Sequence, residues 1–415
     1  MGGAHAHGRD HDLSAADPGP VVRLVLVAVM VAIALAALVG LWRLWPDGDK
    51  VGSVPYYADG VSVTDATVTK VGEPCPVVIV DPDQLTAPEV ERPKGCDELR
   101  VQPTSGPEAG TQVTVQATPD ASRSGLEPGD TVRVFRIPGG EEASYAYAGV
   151  VRHQPLLLLA LVAAAVILLV ARLRGLLAMV GLGFAAAIGW WFMLPALLEG
   201  EAGLWVALTA ASVILYVVLY LTHGVSLRTS VALAGTLLGV AVTALVGGWG
   251  VGSARLSGLG GEAGDALLLQ AGDLPFRDLL LAAVVIAGIG VLNDVTITQA
   301  SAVWELRAAG PAASRLELFR SGMRIGRDHI ASTIYTIVFA YAGTSLALLA
   351  LVSLYDRPLA DLLLDEGVAE EVVRTLASTI GLVLAVPITT LLAVLVARGP
   401  ASEHRHVHEA AETSA

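Results

Sequence analysis

The sequence predicts a mainly α-helical fold: a polytopic membrane bundle of about eight spans with a small extracytoplasmic β-barrel-like domain inserted after the first. Three observations carry this. Hydrophobic residues make up 54% of the 415 and charged ones 16%, and the mean hydropathy of +0.63 lies outside the soluble range. The apolar residues are gathered into runs of about 17–25, long enough to cross a bilayer. From 46 to 152 the pattern is instead polar, turn-rich and alternating, which is the period of strands.

Residues 1–20 carry His5, His7 and His11 among Gly, Ala, Pro and Asp with no periodic apolar face, and are expected to be a disordered cytoplasmic tail. Residues 399–415 are a second such tail, with His404, His406 and His408. A metal-binding reading of these histidines lacks cysteines and a fixed scaffold, so no metal and no cofactor is expected. The run 21–45 is the first membrane anchor. Its apolar core is longer than the roughly 7–15 residues of a signal peptide. Ala28, Ala32, Ala36 and Gly40 give it a small-residue packing face, and Trp42, Arg43 and Trp45 mark its interfacial end.

Within 46–152, VSVTDATVTKV, PVVIV, TQVTVQAT, DTVRVFRI and YAYAGVV read as five short strands joined by turn segments such as VDPDQ and EPGD. Five strands in about a hundred residues suit a small OB-like barrel. Its acidity and lack of clustered aromatics favour a packing or sensing module over a nucleic-acid binder. Cys75 and Cys96, the two cysteines of the chain, both fall here. A disulfide between them closes a loop of about twenty residues, worth roughly 3 kcal/mol, with two free thiols as the alternative.

Seven more runs follow within 153–398, at 155–171, 176–198, 204–222, 229–249, 279–303, 330–354 and 375–397. Gly181, Ala185 and Gly189 form one small-residue ridge, and Gly235, Gly239, Thr243 and Gly247 another, each suited to close helix packing. EAGDALLLQAGDL, in the loop before residue 279, suits a segment along the membrane interface. With the N-terminus inside, the short inner segments hold twelve arginines and the short outer loops four, Arg255, Arg277, Arg357 and Arg374. That asymmetry predicts both termini in the cytoplasm, the strand domain outside, and a multi-pass protein of the plasma membrane.

Function is sought where polar groups enter apolar runs. At helical spacing Asp294, Thr298, Ser301 and Glu305 share one face, with Asn293 adjacent. Asp294 lies fifteen steps beyond Leu279, about 22 Å at helical rise and so inside the hydrocarbon layer. A carboxylate there costs roughly 3 kcal/mol unless it faces protein, water or a partner. On the next helix Arg324, Arg327, Asp328 and His329 stand at the mouth, and Ser332, Tyr335 and Thr336 continue inward. Two facing polar stripes are therefore expected.

The same segments carry a resemblance. LNDVTITQASAVWEL, then FRSGMRIGRD, then YAGTSL resemble the YibE/F family of bacterial membrane proteins, whose members show D-V-(T/A), F-R-x-G-M-x-I-G-R-D and Y-x-G-x-S-L in that order. The resemblance implies a similar order of spans and an N-terminal extracytoplasmic domain. Ala347 stands where related sequences often place proline, which removes the usual cause of a helix kink at that point.

No GxSxG, HExxH or P-loop is present, so an enzyme is not expected. One reading is permease-like transport of an ion or small solute between the sixth and seventh spans, with Asp294 as the proton or cation site. Asn293, Thr298 and Ser301 would serve as neutral ligands, Arg327 or Asp328 as gating groups, and Thr375, Thr379 and Pro387 would complete a cavity. A second makes Asp294 a structural partner for an arginine that fixes helix register. A third is a scaffold or sensor whose strand domain binds a protein partner. The lipid bilayer is the expected surroundings in all three, and no nucleic acid is expected at a net charge of −13.

Overall fold

The computed structural model describes residues 19–55, 57–76, 93, 95–139, 143–354 and 358–397. All six tail histidines and the PVVIV segment beyond Pro76 lie outside these residues. The chain divides into two compact units, 54–170 on one hand and 1–53 with 171–415 on the other.

The first unit is built on a curled five-stranded antiparallel sheet of β1 (Ser62–Val71), β2 (Glu98–Pro103), β3 (Val113–Gln116), β4 (Thr131–Ile137) and β5 (Ser144–Val150). The spatial order is β3-β2-β1-β4-β5, and the two edge strands approach each other. Bulges at Val68/Lys70 and Arg133/Val134 bend the strands and account for the curl. Alternate side chains, among them Ala66, Val68, Leu99, Val101, Val115, Val132 and Val134, form its core. The second strand found is 98–103. Its ELRVQP buries only every other side chain and is half polar, so a search for apolar runs passes over it.

Cys75 and Cys96 are joined by a disulfide with Cα atoms 4.8 Å apart. The adjoining Asp97 is buried at φ +54° and accepts hydrogen bonds from the Cys75 N–H (2.9 Å) and Ser122 Oγ (2.5 Å). This ties the disulfide to a one-turn helix, α2 (Pro119–Ser122). Glu108 takes both arms of the Arg136 guanidinium at 2.8 Å and the Tyr145 hydroxyl at 2.9 Å. The guanidinium holds that carboxyl down at about 2.

The second unit is helical. After α1 (Pro20–Arg43) come α3 (His153–Ile188), whose first part belongs to the other unit, then α4 (Leu194–Leu198), α5 (Gly203–His223) and α6 (Leu227–Ser253). These are followed by α7 (Glu262–Gln270), α8 (Phe276–Ala287), α9 (Ile289–Ala309), α10 (Arg315–Thr344), α11 (Leu346–Ser353) and α12 (Glu366–Val396). Among the described residues six helices are long and apolar enough to cross a membrane, or seven when α10 and α11, bent by 68°, count as one. The difference from eight lies at 153–198. Two expected spans run there through a single 46-residue helical stretch, interrupted by Arg172 at φ 52°, ψ −130°. Unbroken, such a stretch would measure about 69 Å, over twice the hydrocarbon layer. A π-turn at Gly189–Met193 just before Pro195 absorbs the missing N–H of the proline.

The first helix is part of the bundle. A Cβ on Gly40 would stand 2.6 Å from Thr209 Oγ1, and Tyr216 donates its hydroxyl to the Met30 carbonyl at 2.6 Å. Beyond α1, the backbone N–H groups of Asp47 and Gly48 donate to Glu199, and Lys50 pairs with Asp273 at 3.1 Å. That ammonium lowers the Asp273 carboxyl below its ordinary range.

At the centre, α6 and α12 lie against each other along most of their length. Gly235 seats Thr389 and Gly381 seats Thr243, contacts too close for any Cβ. At the start of α12, Glu366 accepts from the Ser257 N–H, from Ser257 Oγ (2.7 Å) and from the Gly258 N–H (3.2 Å), while Glu370 accepts from the Gly260 N–H (3.1 Å). The loop after α6 is thereby stapled to the first turns of α12.

Candidate functional site

The predicted stripes are present as helix faces, and α9 does pack on α10, but through other faces. Asp294, Thr298 and Glu305 are exposed, and among the described residues Asp294 has no hydrogen-bond or ion-pair partner. Asn293 and Ser301 are half-buried, and the Ser301 hydroxyl returns to the Ile297 carbonyl at 2.8 Å. On α10, Arg324, Arg327, Asp328, Ser332, Tyr335 and Thr336 are all exposed. Ser332 bonds the His329 carbonyl, Thr336 bonds that of Ser332, and Tyr335 stacks on Phe339.

The correction to the facing-stripe expectation has a packing cause. Gly322 and Gly326, four apart on α10, present bare backbone to α9 and α12, and a Cβ on either would press on Gln299, Val303 or Val386. Close approach at glycine outweighs the pairing of scattered hydroxyls, so α9 turns Gln299 inward where Thr298 was expected.

Gln299 is 2% exposed and donates to the Gly322 carbonyl (2.9 Å) and Thr390 Oγ1 (2.7 Å). One amide thus joins α9, α10 and α12. A turn earlier Thr296 meets Thr236 of α6 at 2.6 Å, with both hydroxyls fully enclosed. Around this layer, among the described residues, three further polar atoms are sealed from solvent without a hydrogen-bond partner: Asn293 Oδ1, Thr389 Oγ1 and Ser378 Oγ. In apolar surroundings each such atom costs roughly 1–3 kcal/mol.

A second polar locus lies where α10 breaks. The chain bends at Ser345 although Ala347 is no proline, and the break is carried by the short-range backbone of Thr344–Ser345. Against it stands a mostly apolar cavity of about 250 Å³, walled by Val338, Leu348, Leu349 and Leu376, with Tyr341 and Glu371 at its margin. Glu371 pairs with Arg374 at 2.6 Å, yet Glu371 Oε1 and Arg374 Nε remain enclosed and unpartnered. Thr379 and Pro387 are half-buried further along α12. Glu371, Thr375, Ser378 and Thr389–Thr390 recur at helical spacing, so α12 turns an interrupted line of polar groups toward the bundle.

Gln299 and Thr296 were hidden beside the charged stripe through Asp294 and Thr298, which drew the expectation to its own face, and Ser378 and Thr389 stand next to Thr379 and Thr390, so polarity alone does not say which of each pair faces inward. The available signal was the glycine pair in SGMRIG, which marks the face that α9 and α12 must meet. Among the described residues, no group of three or more His, Cys, Asp or Glu is placed to hold a metal ion.

A family model described as YibE/F-like protein matches residues 159–399, well over half of the chain. The chain belongs to the YibE/F-like family. No curated protein and no solved structure matches it. Both polar loci of this YibE/F-like protein lie inside the matched stretch, whereas the sheet and α1 lie outside it. With its several membrane-length helices, the protein is a multi-pass membrane protein of that family.

Proposed function

We propose that this YibE/F-like protein is permease-like and carries an ion or small solute along the seam that α12 forms with α9 and α10. It crosses the bilayer eight times, with the 46-residue stretch divided at Arg172, both termini cytoplasmic, the membrane that of the cell, and the sheet unit outside. It has no enzymatic activity in this reading.

The observation that carries the reading is the set of enclosed, unpartnered polar atoms on the seam: Asn293 Oδ1, Ser378 Oγ, Thr389 Oγ1 and Glu371 Oε1. A bundle needing only tight packing would fill those positions with Ala or Val, because polar groups in lipid surroundings are expensive. Groups held without internal partners are free to receive a passing ion or water. The exposed Asp294, with Thr298, Arg327, Asp328, Ser332, Tyr335 and Thr336, forms the charged approach on the outer faces of α9 and α10.

A second reading, a sensor or scaffold that binds a protein through the sheet unit, is favoured by an open cleft of about 400 Å³ there, lined by Tyr57, Asp65, Thr104 and Arg133.

The test is flux in proteoliposomes under imposed proton, sodium or potassium gradients. Thr389→Val and Ser378→Ala are expected to lower flux at least tenfold without lowering the melting temperature, since each removes an enclosed hydroxyl that satisfies no close hydrogen bond among the described residues. Equal flux in wild type and both variants would remove the seam from the mechanism. No flux, together with a protein crosslinked to the sheet unit, would favour the second reading.

A further inference from the structure

Outside the polar seam, α1, α6 and α12 enclose an apolar groove of about 750 Å³, walled by Val22, Val25, Val29, Leu237, Leu392 and Val396. Ser212, a hydroxyl on its wall, is already given to the Leu208 carbonyl at 2.7 Å, so it offers nothing to a polar ligand. The exception is at one end, where Arg315 joins the lining beside Val21 and Val396. Arg315 is exposed, and among the described residues it has no acidic partner, the nearby Glu317 being engaged with the Ser314 N–H at 2.8 Å.

We propose that this groove is a binding site for one acyl chain of an anionic phospholipid, whose headgroup phosphate pairs with Arg315. The groove follows α1 from Val21 to Ile33, twelve helical steps or about 18 Å. That is close to half of a hydrocarbon layer of about 30 Å, so the groove serves one leaflet and stops near the midplane. A transmembrane helix of a second copy would need a face running through both leaflets, whereas a lipid needs one. A guanidinium at the interfacial end of an otherwise apolar slot, whose one wall hydroxyl is spent on its own helix, matches the division of a phospholipid into charged head and hydrocarbon tail.

The test uses the full-length protein extracted from bilayers of equal phosphatidylglycerol and phosphatidylcholine, with retained lipid counted by native mass spectrometry. Wild type is expected to keep one phosphatidylglycerol with about fivefold preference, the value of one cation near a lipid surface. Arg315→Gln brings the two lipids to parity, while Arg320→Gln, exposed one turn on, leaves the preference intact. Leu237→Trp, which fills the slot, loses both lipids. Parity in the wild type, or a preference that survives Arg315→Gln, overturns the proposal, as does a stable dimer that excludes lipid. Should Leu237→Trp fail to fold, Arg315→Gln decides alone, because that side chain lies at the surface.

Discussion

Gln299 spends its amide hydrogens on two different helices, and among the described residues no other side chain of α9 hydrogen-bonds to both α10 and α12. Replacing it by leucine keeps the volume and deletes both bonds, each worth roughly 0.6 kcal/mol in a membrane bundle. Gln299→Leu should therefore cost about 1 kcal/mol, read as a lower melting temperature in detergent. Asp294→Asn touches no partner and should stay within about 0.5 kcal/mol of wild type in the same assay. Glu108 sets a pH dependence in the sheet unit. Its folded pKa of about 2 lies below the ordinary 4.5, so its contribution is complete above 4.5 and is lost as pH falls toward 2. Arg136→Gln should abolish that acid-side loss, measured as the calorimetric transition of the sheet unit between pH 5 and pH 3.

At the scale of elements, the α6–α12 contact depends on two glycines that face hydroxyls across the seam. Gly381→Ala would drive a methyl into Thr243 and the Gly239 carbonyl, an overpacking cost of about 1–3 kcal/mol. Gly183→Ala, where nothing lies within 4 Å, should be neutral or slightly stabilising by thermal denaturation. The 229–249 ridge was legible as a packing face because small residues at four-residue spacing admit little else. The α9 face was not legible. A polar stripe and a glycine-matched stripe sit about 100° apart on one helix, and only the neighbour's backbone decides between them. The break at Ser345 was equally hidden, since a bend without proline leaves no mark in composition.

For the whole molecule, the sequence reading recovered the class, a helical membrane protein with a strand-built insert, because hydropathy and periodicity act over whole segments. The strand at 98–103 escapes the apolar-run pattern because polar residues at alternate positions mask a half-buried strand, while the expected strand PVVIV lies outside the described residues. The proposed topology makes its own prediction. Single cysteines placed in a cysteine-free background at Val225 and at Ser257 should react oppositely with an impermeant thiol reagent added outside intact cells, with only the second labelled. Labelling of both, or of Val225 alone, would reverse the assignment.

The staple between Glu366, Glu370 and the backbone at 257–260 has a mechanical consequence. It makes α6 and α12 behave like tongs riveted at one tip: any parting of the two rods must grow toward the far tip, around Thr236 and Thr390. Any such opening would then be asymmetric by construction, yielding at one end of the helix pair while the other stays shut. Covalent bridging of the riveted tip would leave such an opening untouched, and bridging of the free tip would arrest it.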